Sequence, residues 1–84
     1  MSAIDWRYLT TKELGEVLGV TTQTILRWRN KKGLPAKKFS SRRLEFYIYD
    51  VLGWLAELSS ENDQNFNRYY PYRIAVLGYI NRRL

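Results

Sequence analysis

Cysteine and histidine are both absent from this chain of 84 residues, and each absence excludes a class of function. Without cysteine there are no disulfides and no thiolate zinc sites, so the fold must be stabilised by the burial of apolar side chains. Histidine and cysteine also supply the commonest general base and the commonest nucleophilic or metal-binding groups. The acidic residues show no calcium-loop spacing, and no phosphate-binding glycine loop occurs. We therefore predict that the protein is not an enzyme and that it uses no metal, cofactor or small-molecule substrate.

Long apolar runs are missing as well. No stretch is long and apolar enough to predict a membrane-spanning helix, and the first ten residues lack the basic and then apolar build of a secretory signal. We therefore expect a soluble, cytoplasmic protein without a membrane partner. The length suits one compact domain, and three tryptophans, seven tyrosines and three phenylalanines can supply its core.

Acidic residues are missing from the middle of the chain. Residues 17–44 contain eight lysines and arginines and no aspartate or glutamate, whereas residues 45–67 contain five acids and no base. The last block, residues 68–84, is basic again, with four arginines. An unopposed basic block creates a local field that suits a polyanion such as nucleic acid. The alternative is a solvated basic surface that has no partner.

Two short helices joined by a tight turn are predicted in the first part of the chain. Thr10 and Glu13 have the spacing of a capping box, so a helix should begin there. Gly19 suits the left-handed residue that ends a helix, and Thr21 suits the N-cap of the next one. Gly15 lies where the two helices would approach each other most closely. This spacing predicts a helix-turn-helix, in which the second helix is anchored by buried residues and ends near Gly33.

A hairpin and a third helix are predicted next. Residues 36–39 and 44–48 flank a polar tip, and the second of these segments alternates apolar and polar residues as a half-buried strand does. Asp50 suits the start of a helix that should run to about Leu58. We predict a mainly α fold with a small two-stranded β wing, a winged helix-turn-helix, over residues 1–58.

The C-terminal part of the chain is predicted to be a polar linker followed by an extra helix. Residues 59–65 have no periodicity, and a final helix is expected from about Pro71 to Arg82, because proline suits a first helical turn. Residues 59–84 would thus add a linker and a basic, apolar helix that serves packing or oligomerisation.

Several parts of the chain together resemble a known family. The chain carries LTTKELGEVLGVTTQTILRWRNKKGLP, then a basic hairpin, then YDVLGWLAE. This pattern, from about Tyr8 to Leu58, resembles the MerR-like excisionase family of small winged helix-turn-helix proteins. The matching positions include Gly33, Leu34 and Pro35 after the second helix and Asp50, Val51, Trp54 and Leu55 in the third. The wing tip lacks the glycine expected for a tight turn, and the residues from Ser59 onward lie outside the resemblance.

The resemblance implies sequence-specific binding of double-stranded DNA, with the second helix in the major groove. It implies an excisionase-like factor in DNA recombination or a small phage or prophage transcription regulator. The same small fold is similar to the DNA-recognition small subunit of phage terminases, which stays open as an alternative. A protein–protein adaptor that recruits a recombinase or polymerase through the C-terminal helix also stays open.

The outward side of the second helix carries the candidate base-reading residues, which are Thr22, Gln23, Leu26, Arg27 and Asn30. Amide side chains can bond adenine, arginine can bond guanine, and Thr22 or Leu26 can meet a thymine methyl group. Phosphate contacts are predicted for the neighbouring basic residues, Arg29, Lys31, Lys32, Lys37 and Lys38. The candidate wing residues are Ser41, Arg42 and Arg43. The two arginines of the wing are expected to enter an adjacent minor groove.

Apolar residues of the final helix are candidate contacts with a second copy of the chain, in a dimer or a cooperative array, or with an integrase or recombinase. They are Tyr70, Ile74, Leu77, Ile80 and Leu84. The tyrosines around Pro71 could instead stack single-stranded bases, but we expect them to pack in a core or an interface. Trp28 and Trp54 are expected to be core residues, since they lie on apolar helix stripes.

Overall fold

A computed structural model describes residues 5–38 and 43–84 of the chain. Within them, helices and short strands follow in the order β1 Tyr8–Thr10, α1 Thr11–Leu18, α2 Thr22–Lys31, β2 Lys37–Lys38, β3 Leu44–Tyr47, α3 Ile48–Ser60 and α4 Asp63–Asn81. The fold is thus mainly helical with a small antiparallel sheet. The predicted class, a winged helix-turn-helix with an extra C-terminal helix, is confirmed.

The turn between α1 and α2 forms as its sequence predicts. The Glu13 backbone N–H donates to Thr10 Oγ1 (3.1 Å), and the Thr10 N–H donates to Glu13 Oε1 (2.9 Å), so the capping box is complete. Gly19 ends α1 in the left-handed region with φ 75°, which costs glycine least. A Cβ at Gly15 would lie 2.8 Å from the Val20 carbonyl oxygen. The close approach of the chain after α1 therefore requires glycine at position 15.

The sheet has three strands within the described residues, whereas two were predicted. Its order is β1-β3-β2, and both pairings are antiparallel. Leu9 of β1 lies opposite Phe46 of β3, and both side chains are buried against the helices. Ile48, predicted as the end of the second wing strand, is instead the first residue of α3. The wing strand β3 thus pairs with β1 and leads directly into α3.

The predicted linker over residues 59–65 is wrong. Helix α3 continues to Ser60, and only Glu61 and Asn62 separate it from α4. Ser59 is buried, and its hydroxyl donates to the Leu55 carbonyl (2.8 Å), so this serine is satisfied inside the helix. The Asn62 side chain accepts the Asn65 backbone N–H (2.7 Å) and caps α4. Polar residues that suggested a loop therefore finish one helix and start the next.

Helix α4 is longer than predicted, because it begins at Asp63 rather than near Pro71. Pro71 lies inside the helix on its exposed side. The inner side of α4 packs against α3 and buries Tyr69, Val76, Tyr79 and Ile80. The Tyr79 hydroxyl donates to the Trp6 carbonyl (2.7 Å), and burial raises the pKa of this phenol. Helix α4 therefore belongs to the same folded body as the helix-turn-helix.

One continuous apolar core connects the helices and the sheet. The four helices and the strands β1 and β3 contribute buried side chains to it, including Leu9, Leu14, Ile25, Trp28, Phe46, Val51, Leu55 and Val76. No helix in the described part of the chain is sufficiently long and apolar to span a membrane.

Candidate nucleic-acid interface

Helix α2 is held at both ends and along its inner side. Thr21 caps its start, since Thr21 Oγ1 accepts the Thr24 backbone N–H (3.2 Å). Ile25 is fully buried and Trp28 is 8% exposed, which confirms that Trp28 is a core residue. After the end of the helix, the Trp54 indole N–H donates to the Lys32 carbonyl (2.9 Å). These contacts fix which side of α2 faces outward.

The aromatic cluster around Trp28 explains how α4 supports α2. The Trp28 ring lies 5.7 Å from the ring of Trp54 and 5.2 Å from that of Tyr72, measured between centroids. Tyr69 is buried beside both tryptophans. Such edge and tilted pairs add to the stability that burial provides. Tyr69 and Tyr72 thus pack in the core, as expected, and do not present their faces to single-stranded bases.

The structure exposes the whole set of predicted base-reading residues on the outward side of α2: Thr22, Gln23, Leu26, Arg27 and Asn30. Leu26 is 40% exposed, so its side chain can contact a ligand outside the chain. The Asn30 Oδ1 lies 3.5 Å from an Arg29 guanidinium nitrogen, at the limit of a hydrogen bond. These side chains are therefore available to a ligand.

The basic residues predicted as phosphate contacts are also exposed; they are Arg29, Lys31, Lys32, Lys37 and Lys38. Of the salt bridges found among the described residues, only Arg43 to Glu45 (2.9 Å) uses a cation of the basic block 17–44. Arg43, directly before β3, is therefore partly neutralised. The wing residues Ser41 and Arg42 lie outside the described residues.

The outer side of the sheet carries a feature that sequence analysis missed. Tyr8 of β1 lies opposite Tyr47 of β3, with ring centroids 5.0 Å apart. The Lys37 ammonium lies 5.6 Å from the Tyr47 ring and 5.8 Å from the Tyr8 ring, within the range of a cation–π contact. The three residues of β1 are too few to show the alternation that marks a strand, so the sequence had no signal for this pairing.

The candidate oligomer contacts on α4 divide between its two sides. Tyr70, Ile74, Leu77 and Leu84 are exposed. Ile80 is only 5% exposed and packs in the core, so its prediction as an interface residue is wrong. Ile80 lies on the core-facing side of α4 together with Val76 and Tyr79, and this side is set by the packing of α4 against α3. Within the described residues, no group of acidic side chains is arranged to hold a metal ion.

Residues 8–59, more than half of the chain, match the family described as the helix-turn-helix domain. The chain belongs to the helix-turn-helix domain family. The matched segment of this helix-turn-helix protein begins at β1 and extends to Ser59 near the end of α3, so α4 lies outside it. Comparisons with curated proteins and with solved structures returned no match. Membership of the family supports a DNA-binding regulatory role for the helix-turn-helix protein.

Proposed function

We propose that this helix-turn-helix protein binds double-stranded DNA sequence-specifically, with α2 in the major groove. One observation carries the proposal: the exposed side of α2 lies within the segment, residues 17–44, that has eight basic residues and no acid. An α-helix fits the width of the major groove, and basic side chains on both flanks of such a helix can reach phosphates.

Base reading is assigned to the exposed side of α2. Helix-turn-helix proteins contact base edges mainly with the N-terminal residues of this helix, so Thr22 and Gln23 would lie deepest in the groove. The Arg27 guanidinium can donate two hydrogen bonds to guanine, and the Gln23 amide can pair with adenine in the same two-point manner. The exposed Leu26 side chain suits the methyl group of thymine. Together these residues would supply the specificity.

Phosphate contacts are assigned to the lysines and arginines beside α2 and in β2. Lys31 and Lys32 lie at the end of α2, and Lys37 and Lys38 form β2. The cation–π contact of Lys37 with Tyr47 would hold its ammonium on the outer side of the sheet. These contacts would position the protein without selecting a sequence, while the wing arginines would enter a neighbouring minor groove.

The biological role that best fits these residues is that of an excisionase-like factor in DNA recombination or of a small phage or prophage transcription regulator. The resemblance of residues 8–58 to the excisionase family supports this assignment. The DNA-recognition subunit of a terminase uses a similar small fold and is the second candidate. A protein–protein adaptor that recruits a recombinase or polymerase would use the exposed apolar side of α4. This role is compatible with DNA binding.

A binding titration at two salt concentrations tests the proposal. A duplex selected from random DNA and a scrambled duplex of the same composition would be titrated at 50 and 200 mM salt. For about five phosphate contacts, we expect affinity to fall on the order of 10²–10³-fold across this range. The selected duplex should bind tighter than the scrambled one at both concentrations. Binding that is insensitive to salt, or equal for both duplexes, would contradict sequence-specific DNA binding.

A further inference from the structure

A stripe of large apolar side chains runs along the outer side of α4, and no part of the described chain covers it. The stripe consists of Phe66 (43% exposed), Tyr70 (39%), Ile74 (49%) and Leu77 (37%). Spacings of three and four residues place these side chains on one side of the helix. Because the core-facing residues of α4 lie on another side, the helix has two apolar sides, and the monomer uses only one of them.

The area of the outer stripe fits a protein contact. Aromatic side chains present roughly 150–250 Å² each, so four large side chains exposed by 37% to 49% leave on the order of 300 Å² of apolar surface in water. Patches of this size on a monomer are often functional. A stable dimer buries about 800 Å² on each partner. The stripe alone therefore suits a weak, reversible contact.

We propose that the outer stripe is the interface of a homodimer in which two α4 helices pack antiparallel. The first half of the stripe is aromatic, and the second half is aliphatic. A two-fold axis between residues 71 and 72 places Phe66 of one copy against Leu77 of the other, and Tyr70 against Ile74. The stripe is thus complementary to itself, as a two-fold interface requires.

The charges at the ends of α4 select the antiparallel arrangement. Glu61 precedes α4 and Asp63 is its first residue, while Arg82 and Arg83 follow its end. All four side chains are exposed. Antiparallel packing brings the acidic end of one copy beside the basic end of the other, and it also opposes the helix dipoles. Parallel packing would instead place like charges side by side.

Arg73 lies near the proposed two-fold axis, and its guanidinium contacts both α3 and the stripe. One of its terminal nitrogens donates to Ser59 Oγ (3.1 Å) on α3. The guanidinium carbon lies 5.6 Å from the centre of the Tyr70 ring. The rings of Phe66 and Tyr70 stack with centroids 4.7 Å apart. The aromatic half of the stripe is therefore a stacked pair of rings with the Arg73 guanidinium beside Tyr70.

Sedimentation velocity of the whole chain without DNA tests the dimer, so its outcome is independent of the proposed DNA binding. We expect a reversible monomer–dimer equilibrium that shifts toward the dimer as the protein concentration is raised, because so small an interface suits weak association. The double variant Ile74→Gln with Leu77→Gln should stay monomeric at concentrations where the wild type dimerises. Arg68→Gln, an exposed position outside the stripe, is the matched control and should dimerise as the wild type does. A wild type that is monomeric up to millimolar concentration, or a dimer that survives the double variant, would overturn the proposal.

Disulfide trapping tests the orientation. The chain has no cysteine, so Phe66→Cys and Leu77→Cys each introduce a unique thiol. A helix rises about 1.5 Å per residue, so in the antiparallel dimer the two residues at position 66 are about 16 Å apart along the helices. This distance is too long for a disulfide. A mixture of the two variants should therefore form mainly the mixed disulfide. Preferential linkage of position 66 to position 66 would show parallel packing and reject the model of the interface.

Discussion

Gly15 allows the chain to pass directly against α1 where α2 begins. A methyl group there would meet the Val20 carbonyl oxygen at 2.8 Å and would lie 3.8 Å from the Thr22 backbone nitrogen. The Val20 oxygen is a backbone atom close to the start of α2, so the chain must move to relieve the contact. The buried Gly15 thus affects the position of the exposed residues at the start of α2.

The substitution Gly15→Ala should lower the free energy of unfolding by about 1–3 kcal/mol, as overpacking does, despite a gain of about 1 kcal/mol in helix propensity. Gly53→Ala is the control, because no atom lies within 4 Å of its new methyl group. That variant should be more stable than the wild type by about 0.5–1 kcal/mol. Urea unfolding of both variants measures the difference. Equal stabilisation by the two substitutions would show that the close approach at position 15 costs nothing.

At the scale of elements, the start of α2 depends on one side chain. Thr21 Oγ1 accepts the Thr24 backbone N–H at 3.2 Å and lies 3.0 Å from the Thr24 hydroxyl. The first turn of α2 also carries Thr22 and Gln23, which are assigned to base reading. The cap therefore orders the part of the helix that would enter the groove.

Thr21→Ala should lower the free energy of unfolding by about 1 kcal/mol, since it removes a helix cap, and Thr21→Ser should restore most of it. Thr22→Ala provides the comparison one residue later, where no side-chain cap forms, and it should leave stability almost unchanged. Thermal unfolding followed by circular dichroism measures all three variants. If the two alanine variants proved equally stable, Thr21 would not be the effective cap.

Local signals in the sequence predicted the helix-turn-helix well, because its caps and turn involve neighbouring residues. Thr10, Gly19 and Thr21 each act within four residues of their own position. The third strand could not be predicted in this way, because β1 pairs with β3 some forty residues later and is only three residues long. The segment 59–65 misled for another reason: serine and asparagine favour loops, yet here they bond backbone groups inside and between helices.

The candidate site was predictable to a similar extent. The side of α2 that faces outward follows from Ile25 and Trp28, whose spacing marks the inner side. In contrast, the burial of Ile80 depends on how α4 packs against α3, and the contact of Lys37 with Tyr8 depends on strand pairing. Both are tertiary relations, and helical spacing alone does not determine them.

At the scale of the whole molecule, the described chain separates two surfaces. The exposed side of α2 and the basic strand β2 are assigned to DNA, and the outer stripe of α4 is assigned to a second copy. The buried side of α4 connects them, since Tyr69 and Tyr72 pack on Trp28 of α2. A two-fold dimer would present two α2 helices to inverted half-sites, and its weak association would be strengthened on DNA that carries both.

A comparison of Arg27→Ala with Lys38→Ala separates the proposed base reading by α2 from the proposed phosphate contacts of β2. Each variant would be titrated on the selected and on the scrambled duplex at one salt concentration. Arg27→Ala should reduce the preference for the selected duplex by about 1–3 kcal/mol, the value of a two-point base contact. Lys38→Ala should weaken binding to both duplexes equally and leave the preference for the selected duplex unchanged. If Arg27→Ala lost the same binding affinity for both duplexes, the assignment of α2 as the base-reading helix would be contradicted.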